Sequence, residues 1–328
     1  MIQRLFLLET DTTDPYHNLA LEEYLFNKAE PGDCILYLWQ NRHTVVIGSN
    51  QNPWLECRTS LLEADGGRLA RRLSGGGAVY HDMGNLNFTF LVRSEDYDLH
   101  RQLSVITTAC RQLGIPAECS GRNDILADGR KFSGNAFYQH HGRRYHHGTI
   151  LVDANMEMMG KYLSPSPAKL QAKGVPSVRS RVINLRELCP ELTISRMKEV
   201  LAEAFSQVYQ LPAEHLSLAD LDEKEIGALE ERYRSWEWVY GRRLAFTAQC
   251  AGKYPWGEIT IQLAADGGTV QEAAVYTDAM DPSFAPPLER ALTGCPFHLS
   301  QLCQAVEHAP IPQEIQRDIC TLLAEQNL

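Results

Sequence analysis

The sequence lacks the long apolar run of a membrane-spanning helix, and its first residues hold too short an apolar stretch for a secretion signal. None of the nine cysteines stands in a CxxC spacing, which argues against a zinc ribbon and against a thioredoxin-type redox site. The formal net charge is −10, so the excess of positive charge expected for general nucleic-acid binding is missing. We therefore expect a cytoplasmic protein with free, mostly buried thiols that binds neither a membrane nor a nucleic acid.

The composition is that of an ordinary globular protein, because 44% of the 328 residues are hydrophobic and 22% are charged. A chain of this length can form two domains, each with its own core. The charge is unevenly distributed: residues 122–181 contain ten Lys or Arg and four Asp or Glu, whereas residues 187–237 contain five basic and twelve acidic residues. A positive segment in an acidic chain suits a small anionic ligand, but a solvated face would give the same counts, and charge alone leaves both open.

Predicted strands and helices are mixed irregularly along the chain, which favours an α+β fold over a repeating βαβ sheet. An aspartate or asparagine followed by proline predicts helix starts at Asp14-Pro15 and Asn52-Pro53. Beyond Trp236 the pattern changes to three short β segments and then to helices. We therefore predict a larger domain over residues 1–245, built on a mixed or antiparallel sheet, and a smaller α+β domain over residues 246–328.

Residues 71–82, RRLSGGGAVYHD, are the densest stretch of anion-binding residue types. Three consecutive glycines expose backbone N–H groups and can form an anion-binding nest, and Arg72 beside them offers a guanidinium that pairs with phosphate. The motif GxxxxGK[ST] and the dinucleotide-binding fingerprint are both absent, so this is not a P-loop or a Rossmann site. The alternative is a flexible hairpin turn with two surface arginines.

Residues 121–136, GRNDILADGRKFSGNA, predict a hairpin that turns at Asp128-Gly129. The hairpin places Asp124 and Lys131 on paired strands, and strand alternation predicts that Lys131 and Ser133 share one face while Phe132 takes the other. Lys131 could then stabilise charge in phosphoryl transfer, and Asp124 could hold Mg²⁺ together with water and phosphate oxygens. The alternatives are a solvated lysine and a turn-stabilising aspartate.

Two neighbouring histidines, His146 and His147, stand in the predicted strand HHGTIL. Adjacent strand residues face opposite ways, so the two cannot easily bind one metal, and a single histidine lining a pocket is the better hypothesis. Residues 173–181 add basic charge in a predicted loop, where phosphate contact and a solvated face are equally good interpretations.

Taken together, these stretches resemble the lipoate–protein ligases of the long, two-domain type, over nearly the whole chain. The matching segments are residues 14–15, 18–20, 44–48, 51–54, 71–90, 121–125, 130–138, 146–151 and 173–185, with looser matches at 235–238, 256–257 and 275–278. Several long motifs in one order are specific to a family. The resemblance implies a catalytic domain of the type shared by biotin and lipoate ligases, followed by a smaller accessory domain.

The resemblance also implies roles for individual residues. Lys131 matches the family's key lysine, which bridges the lipoate carboxylate and the α-phosphate, and it is the expected catalytic residue. The residues expected to bind ATP or the adenylate are Arg72, Ser74, Gly77, Ala78, Val79, Tyr80, Asn123, Asp124 and Lys131. Those expected to bind lipoate are Gly77, His81, Lys131 and His147, and the expected Mg²⁺ ligand is Asp124.

The resemblance also implies an acyl-chain tunnel and a mobile loop. An apolar tunnel for the lipoate chain is expected to include Val79, Tyr80 and residues 44–47. Residues 164–180 resemble the family's loop that reorders when the adenylate forms.

The activity that the resemblance implies uses ATP and Mg²⁺ to convert lipoate to lipoyl-AMP. The lipoyl group then passes to a lysine of an apo lipoyl domain, in E2 subunits of 2-oxoacid dehydrogenases or in the glycine cleavage H protein. One alternative is an ATP-independent lipoyl or octanoyl transferase, which would need a cysteine thioester. No cysteine follows residues 146–151 closely, and Cys119, nearest the lysine motif, is interpreted as a buried structural thiol.

A second alternative is a non-catalytic module that binds lipoate or a nucleotide. A complete set of motif residues disfavours it. A biotin ligase would alternate glycine and arginine in the phosphate loop, and residues 71–82 do not.

Overall fold

A computed structural model describes residues 1–121, 124–163, 182–240 and 248–325. Its strands are β1 (Arg4–Glu9), β2 (Asp33–Trp39), β3 (Thr44–Ile47), β4 (Arg68–Arg71), β5 (Val79–His81), β6 (Asn85–Arg93), β7 (Ala117–Ser120), β8 (Asp124–Ala127), β9 (Arg130–His140), β10 (Arg143–Leu151), β11 (Ala213–His215), β12 (Ala248–Tyr254), β13 (Gly257–Asp266) and β14 (Thr269–Thr277). The α-helices in these ranges are α1 (Pro15–Lys28), α2 (Pro53–Glu56), α3 (Thr59–Ala64), α4 (Leu99–Gln112), α5 (Met156–Tyr162), α6 (Ile194–Tyr209), α7 (Glu223–Arg234), α8 (Trp236–Val239), α9 (Ala285–Leu292), α10 (Leu299–His308) and α11 (Gln313–Glu325).

The largest sheet has eight strands in the order β11-β1-β2-β6-β10-β9-β8-β7. β1 runs parallel to β2 and β11, and the other pairs are antiparallel, so the sheet is mixed. A second, smaller sheet has the order β4-β3-β5. The predicted α+β class with a mixed sheet is confirmed.

Helix starts follow the capping signals in the sequence. The side chain of Asp14 accepts a hydrogen bond from the backbone N–H of Tyr16, and Asn52 does the same for Trp54, so α1 and α2 begin as predicted. The elements α3, β7 and β11 were not predicted, because three to six residues are too few to show a hydrophobic period. A strand was predicted over residues 244–250. Residues 244–247 lie outside the described residues, and residues 248–250 belong to β12.

The eight-stranded sheet is buried on both faces. Helices α4 and α6 cover one face, with Val105 and Phe205 in the shared core. Helices α1 and α7 and the β4-β3-β5 sheet cover the other, where Leu19, Val46 and Tyr145 belong to one core. The space between the two sheets is where a ligand cleft can form.

Strand β6 shows how the sequence assigns the two faces. Leu86, Phe88 and Phe90 lie in the core beneath α4 and α6. The alternating polar residues Asn87 and Thr89 therefore point to the opposite face, toward the smaller sheet, and they are buried there as well. Buried polar side chains on one strand face indicate a site that is not simply hydrophobic core.

Strand β9 departs from regular alternation at the lysine motif. Leu126 pairs with Lys131 and Ile125 pairs with Ser133, which leaves Phe132 as the extra residue of a β-bulge. Since paired residues point to the same side of a sheet, Ser133 faces the helices with Ile125, and Lys131 faces the smaller sheet. The prediction that Lys131 and Ser133 share a face is therefore wrong, whereas the opposite placement of Phe132 is found.

The sheet β12-β13-β14 packs against α9, α10 and α11 around a separate core that includes Ile261, Leu288 and Ile319. The predicted domain boundary at residue 245, between 1–245 and 246–328, falls within residues 241–247 and so lies outside the described residues. Within the described ranges, no helix combines the length and the apolar character needed to cross a membrane.

Candidate functional site

A cleft opens between the eight-stranded sheet and the β4-β3-β5 sheet, and its interior space measures about 180 Å³. A concave cleft with a few convergent polar groups is the usual form of a small-molecule site. Leu19, Trp39 and Val46 supply apolar walls. The predicted site residues that line the cleft are Arg72, Gly77, Ala78, Val79, His81, Lys131 and His147.

Other predicted site residues lie outside the cleft lining. Ser74 is fully buried behind the glycine turn. Tyr80 packs in the neighbouring core, where its ring lies 6.1 Å from that of His43 and 5.7 Å from that of Tyr162. Its side chain therefore does not line the apolar tunnel as expected, although Val46 and Val79 do.

Asp124 does not line the cleft, but it forms an ion pair with Lys131, which does. Asn123 and residues 164–180 lie outside the described residues.

The glycine turn is shaped by a buried arginine. The guanidinium of Arg72 donates hydrogen bonds to the carbonyl oxygens of Gly75 (2.7 Å), Gly77 (2.8 Å) and Val46 (3.1 Å). Burial lowers the pKa of Arg72 to about 10, so it stays charged at neutral pH. Gly76 has a φ of +86°, a conformation that favours glycine.

The flexible turn with two surface arginines, considered above, is excluded by burial. Arg71 is also buried and donates to the carbonyl oxygens of Gly48, Gln51 and Val239, among others. Both guanidinium groups therefore stabilise loop backbone in this structure, and Arg72 in addition forms part of the cleft wall.

Lys131 reaches the cleft from the β9 bulge. Its Nζ lies 2.7 Å from Oδ1 of Asp124, and both side chains are about one-third exposed. A Cβ placed on Gly134 would lie 2.8 Å from the same nitrogen, so the ammonium group lies directly against that glycine. The structure thus brings Lys131 to the cleft that Gly76 and Gly77 also line.

His147 belongs to a buried hydrogen-bond chain. Its Nδ1 donates to Oε1 of Glu22 at 2.8 Å, and its Nε2 lies 2.8 Å from the Ser74 hydroxyl. Nε of Arg72 donates to Ser74 Oγ at 3.0 Å, and Thr89 donates to Glu22 at 2.6 Å. The chain fixes the ring orientation of His147 and ties its strand to the glycine turn.

His146 and His147 face opposite sides of the sheet, as predicted. Nδ1 of His146 lies 3.1 Å from Gln102 on α4, and burial lowers its pKa to about 3. Burial, reinforced by Arg72, also lowers the pKa of His81 to about 3, so both rings are neutral near pH 7. No group of three or more His, Cys, Asp or Glu side chains suited to a metal occurs among the described residues.

The nine cysteines are all free, and all fall within the described ranges. None of them lines the cleft. Cys119 is exposed on β7, so its interpretation as a buried thiol is wrong: β7 is the terminal strand of the sheet.

Several cleft residues were missed by the sequence interpretation. Asn87, Thr149 and Ala136 line the cleft from β6, β10 and β9. The alternation of polar and apolar residues in NLNFTF was the signal that could have identified Asn87. Met280 comes from the C-terminal domain, and no local pattern marks it.

The C-terminal domain contacts the glycine turn directly. The backbone N–H of Gly76 donates to the carbonyl of Ala279 at 3.0 Å, and that of Thr277 donates to Asn50 at 2.8 Å. A Cβ on Gly75 would lie 2.3 Å from the Ala279 oxygen, so the close approach requires glycine. This contact carries Met280 into the cleft.

Comparison with known proteins gives matches to two family models and to many curated relatives. The model described as "Lipoyl protein ligase A/B catalytic domain" matches residues 14–206, and "Bacterial lipoate protein ligase C-terminus" matches residues 243–323. Lipoate-protein ligase A of Psychrobacter cryohalolentis is 40% identical over 297 residues, which cover 88% of this chain and 88% of the relative.

Solved structures share the fold. LipL1 of P. falciparum, in complex with lipoate, superimposes with a TM-score of 0.85 at 24% identity, covering 98% of this chain and 99% of that one. A bipartite lipoate protein ligase from Thermoplasma acidophilum, studied with its E2 lipoyl domain, gives 0.64 at 28% identity, covering 75% and 99%. A lipoate-protein ligase A bound with ATP gives 0.63 at 27%, covering 74% and 99%.

These matches confirm the resemblance seen in the sequence motifs. The catalytic-domain model spans more than half of the chain, and the relative exceeds 30% identity over most of it. The chain therefore belongs to the lipoate–protein ligase A family.

Proposed function

We propose that this chain is an ATP-dependent lipoate–protein ligase that forms lipoyl-AMP and transfers the lipoyl group to a lysine of a carrier domain. The observation that carries the proposal is the meeting of Lys131 and the glycine turn at residues 75–77 in one cleft whose remaining walls are largely apolar. A carboxylate with a hydrocarbon tail and a triphosphate would find complementary surfaces there.

The first step joins two anions, since the lipoate carboxylate attacks the α-phosphorus and pyrophosphate leaves. Lys131 would lie between the two anions and offset their repulsion. Arg72 would act through the turn, because its donors hold the carbonyl groups of Gly75 and Gly77 and so orient the backbone N–H groups beside them. Residues 77–80 and Asn123 remain proposed adenylate contacts, and His81 and His147 remain proposed lipoate contacts. Ser74, fully buried behind the glycine turn, would support the adenylate site only through Arg72 and His147.

Mg²⁺ would be held by Asp124 together with phosphate oxygens and water. The donor set fits, because a carboxylate beside the lysine offers the hard oxygen ligand that Mg²⁺ prefers, and Mg²⁺ sites often use only one or two protein carboxylates. The ion would supply charge neutralisation of the leaving pyrophosphate. Asp124 would then exchange its partner Lys131 for the ion, which frees the ammonium group for the reacting oxygens.

In the second step the neutral lysine amine of the carrier attacks the mixed anhydride and AMP leaves. The proposed carriers are apo lipoyl domains of 2-oxoacid dehydrogenase E2 subunits and the glycine cleavage H protein, in the cytoplasm. An E2 lipoyl domain is the partner named for the related T. acidophilum ligase. Alignment of the amine with the anhydride, rather than a covalent enzyme intermediate, supplies the rate.

The ATP-independent transferase is the second candidate, and the cysteine positions disfavour it. That reaction needs a thiolate in the cleft to carry the acyl group. None of the nine cysteines, all within the described ranges, lines the cleft.

The test is an assay with the purified full chain, lipoate, Mg-ATP and an apo lipoyl domain. We expect pyrophosphate release together with a mass increase of the domain by one lipoyl group. Acyl transfer without pyrophosphate would reject the ligase in favour of the transferase, and tight binding without either product would indicate a non-catalytic module.

A further inference from the structure

Two buried hydrogen-bond donors of the cleft lining have no partner in the part of the chain that the structure describes. Nδ2 of Asn87 and Nε2 of His81 find no hydrogen-bond partner within residues 1–121, 124–163, 182–240 and 248–325. The two side chains are only 2% and 3% exposed, and both line the cleft. Because buried donors are almost always paired in native proteins, these two mark a place where a ligand supplies the acceptor.

The orientation of His81 is fixed by a row of amides. The Tyr37 hydroxyl donates to Oδ1 of Asn18, and Nδ2 of Asn18 donates to Oδ1 of Asn41 at 3.0 Å. Nδ2 of Asn41 is then left to donate to Nδ1 of His81 at 3.2 Å. The neutral ring therefore carries its proton on Nε2, the unpartnered nitrogen.

Asn87 is oriented in the same way by its neighbour. Its Oδ1 accepts a hydrogen bond from Nδ2 of Asn85 at 2.9 Å, so the amide nitrogen is the group left over. Asn87 pairs with Trp39 on β2 and with Thr149 on β10. It is thus a polar residue set beside the apolar wall of Trp39.

Sheet geometry gives the distance from Asn87 to the lysine. Thr149 is opposite Asn87 on β10, and it lies next to Gly134 on β9, the residue against which the Lys131 ammonium rests. Two strand spacings of about 4.8 Å place Asn87 roughly 10 Å from the lysine end of the cleft, and His81 lines the same cleft from β5 of the smaller sheet. A lipoate carboxylate bound at Lys131 extends its five-membered disulfide ring by about 8 Å along this line.

We propose that Asn87 and His81 are specificity-determining residues that donate N–H···S hydrogen bonds to the disulfide ring of lipoate. The inference rests on the proposed activation of lipoate by this cleft. Sulfur is a weak acceptor, whereas a hydrocarbon end offers no acceptor and leaves both donors unpaired. A site built to pair with a substrate group discriminates against an analogue that lacks the group.

The test compares two acids of nearly the same shape, lipoate and 5-cyclopentylpentanoate, in which a carbocycle replaces the disulfide ring. Pyrophosphate release by the wild-type full chain gives kcat/KM for each acid. We expect the wild type to favour lipoate by about tenfold, and Asn87→Leu to reduce that preference by about five- to tenfold. Leucine is close to asparagine in size and has no donor.

Gln102→Leu is the matched control. Gln102 is a fully buried amide whose Nε2 is also unpartnered in the described residues, but it lies beneath the opposite face of the sheet, against His146. The same substitution there should leave the ratio of the two acids unchanged. If Asn87→Leu fails to fold, Asn87→Asp decides, because it keeps the acceptor for Asn85 and, when ionised, removes the donor.

The possible results distinguish failure of the proposed hydrogen bonds to sulfur from failure of the proposed ligase function. Equal use of both acids by the wild type, or a ratio that Asn87→Leu leaves unchanged, would overturn the inference while the ligase activity stands. Absence of pyrophosphate with lipoate itself would reject the proposed function. A fall in the ratio at Asn87 but not at Gln102 supports the hydrogen bonds to sulfur.

Discussion

Replacement of Lys131 by alanine tests the central charge of the site. Lys131 is paired with Asp124 at 2.7 Å, and its side chain is 36% exposed. At that exposure an effective dielectric constant of about 20 applies, and a unit charge about 4 Å from the developing charge contributes about 4 kcal/mol. Lys131→Ala should therefore lower the rate of lipoyl-AMP formation by about 10³-fold.

The same substitution should hardly affect folding. A partly exposed ion pair contributes about 0–1 kcal/mol to the free energy of unfolding, so the melting temperature should change by a few degrees at most. Lys161→Ala is a matched control, since Lys161 pairs with Asp65 at 2.5 Å and the pair is 40% and 32% exposed, but it does not line the cleft. We expect wild-type adenylation from that variant.

The assay is single-turnover formation of lipoyl-AMP from lipoate and Mg-ATP, with thermal melting measured on the same preparations. A Lys131→Ala rate within tenfold of wild type would refute the electrostatic role. Equal losses in Lys131→Ala and Lys161→Ala would show that the assay reports a general loss of charge or stability.

Three further predictions concern the framework. Burial lowers the pKa values of His81 and His146 to about 3, so both rings gain protons mainly on unfolding. The free energy of unfolding should therefore fall as the pH drops from about 6.5 toward 3, by up to 1.4 kcal/mol per pH unit for each ring. A free energy of unfolding, measured by urea denaturation, that does not change between pH 7 and pH 5 would contradict this. Arg72→Lys should lower the free energy of unfolding by about 2–4 kcal/mol, because fewer donors reach the carbonyl groups of the turn. The same loss should weaken the binding of ATP and of lipoate together. Weaker binding of ATP alone, measured by calorimetry, would instead indicate that Arg72 contacts phosphate directly. Gly75→Ala should loosen the contact with Ala279 and raise hydrogen exchange at residues 277–282, and unchanged exchange would count against that contact.

The sequence predicts the fold best where a local rule acts alone. Capping at Asp14 and Asn52, and the hairpin at residues 128–129, follow from backbone chemistry within a few residues. The face of Ser133 was mispredicted because a β-bulge adds one residue and shifts the alternation, and the need for the bulge arises from pairing with β8 rather than from the local pattern. Cys119 was misplaced because exposure depends on the order of strands in the sheet.

The site was only partly predictable for a related reason. Motifs identify Lys131 and the glycine turn, since both are contiguous in sequence. Asn87 and Met280 enter the cleft through strand register and through contact between domains, which join residues nearly two hundred positions apart. The burial of Arg72 is equally non-local, because its acceptors include Val46 on β3.

The two cations of the cleft differ in a way that suits their proposed roles. Arg72 is buried and engaged with several carbonyl groups, so moving it would leave those acceptors unpaired; it fixes shape. Lys131 pairs in this structure with one carboxylate at the edge of solvent, so exchanging Asp124 for a phosphate replaces one ion pair by another at little desolvation cost. The site can therefore bind anions without refolding, because Arg72 holds the shape of the turn while Lys131 exchanges its partner for the substrate. This division of roles explains why substitution of Arg72 should lower the free energy of unfolding, whereas substitution of Lys131 should lower the rate of lipoyl-AMP formation.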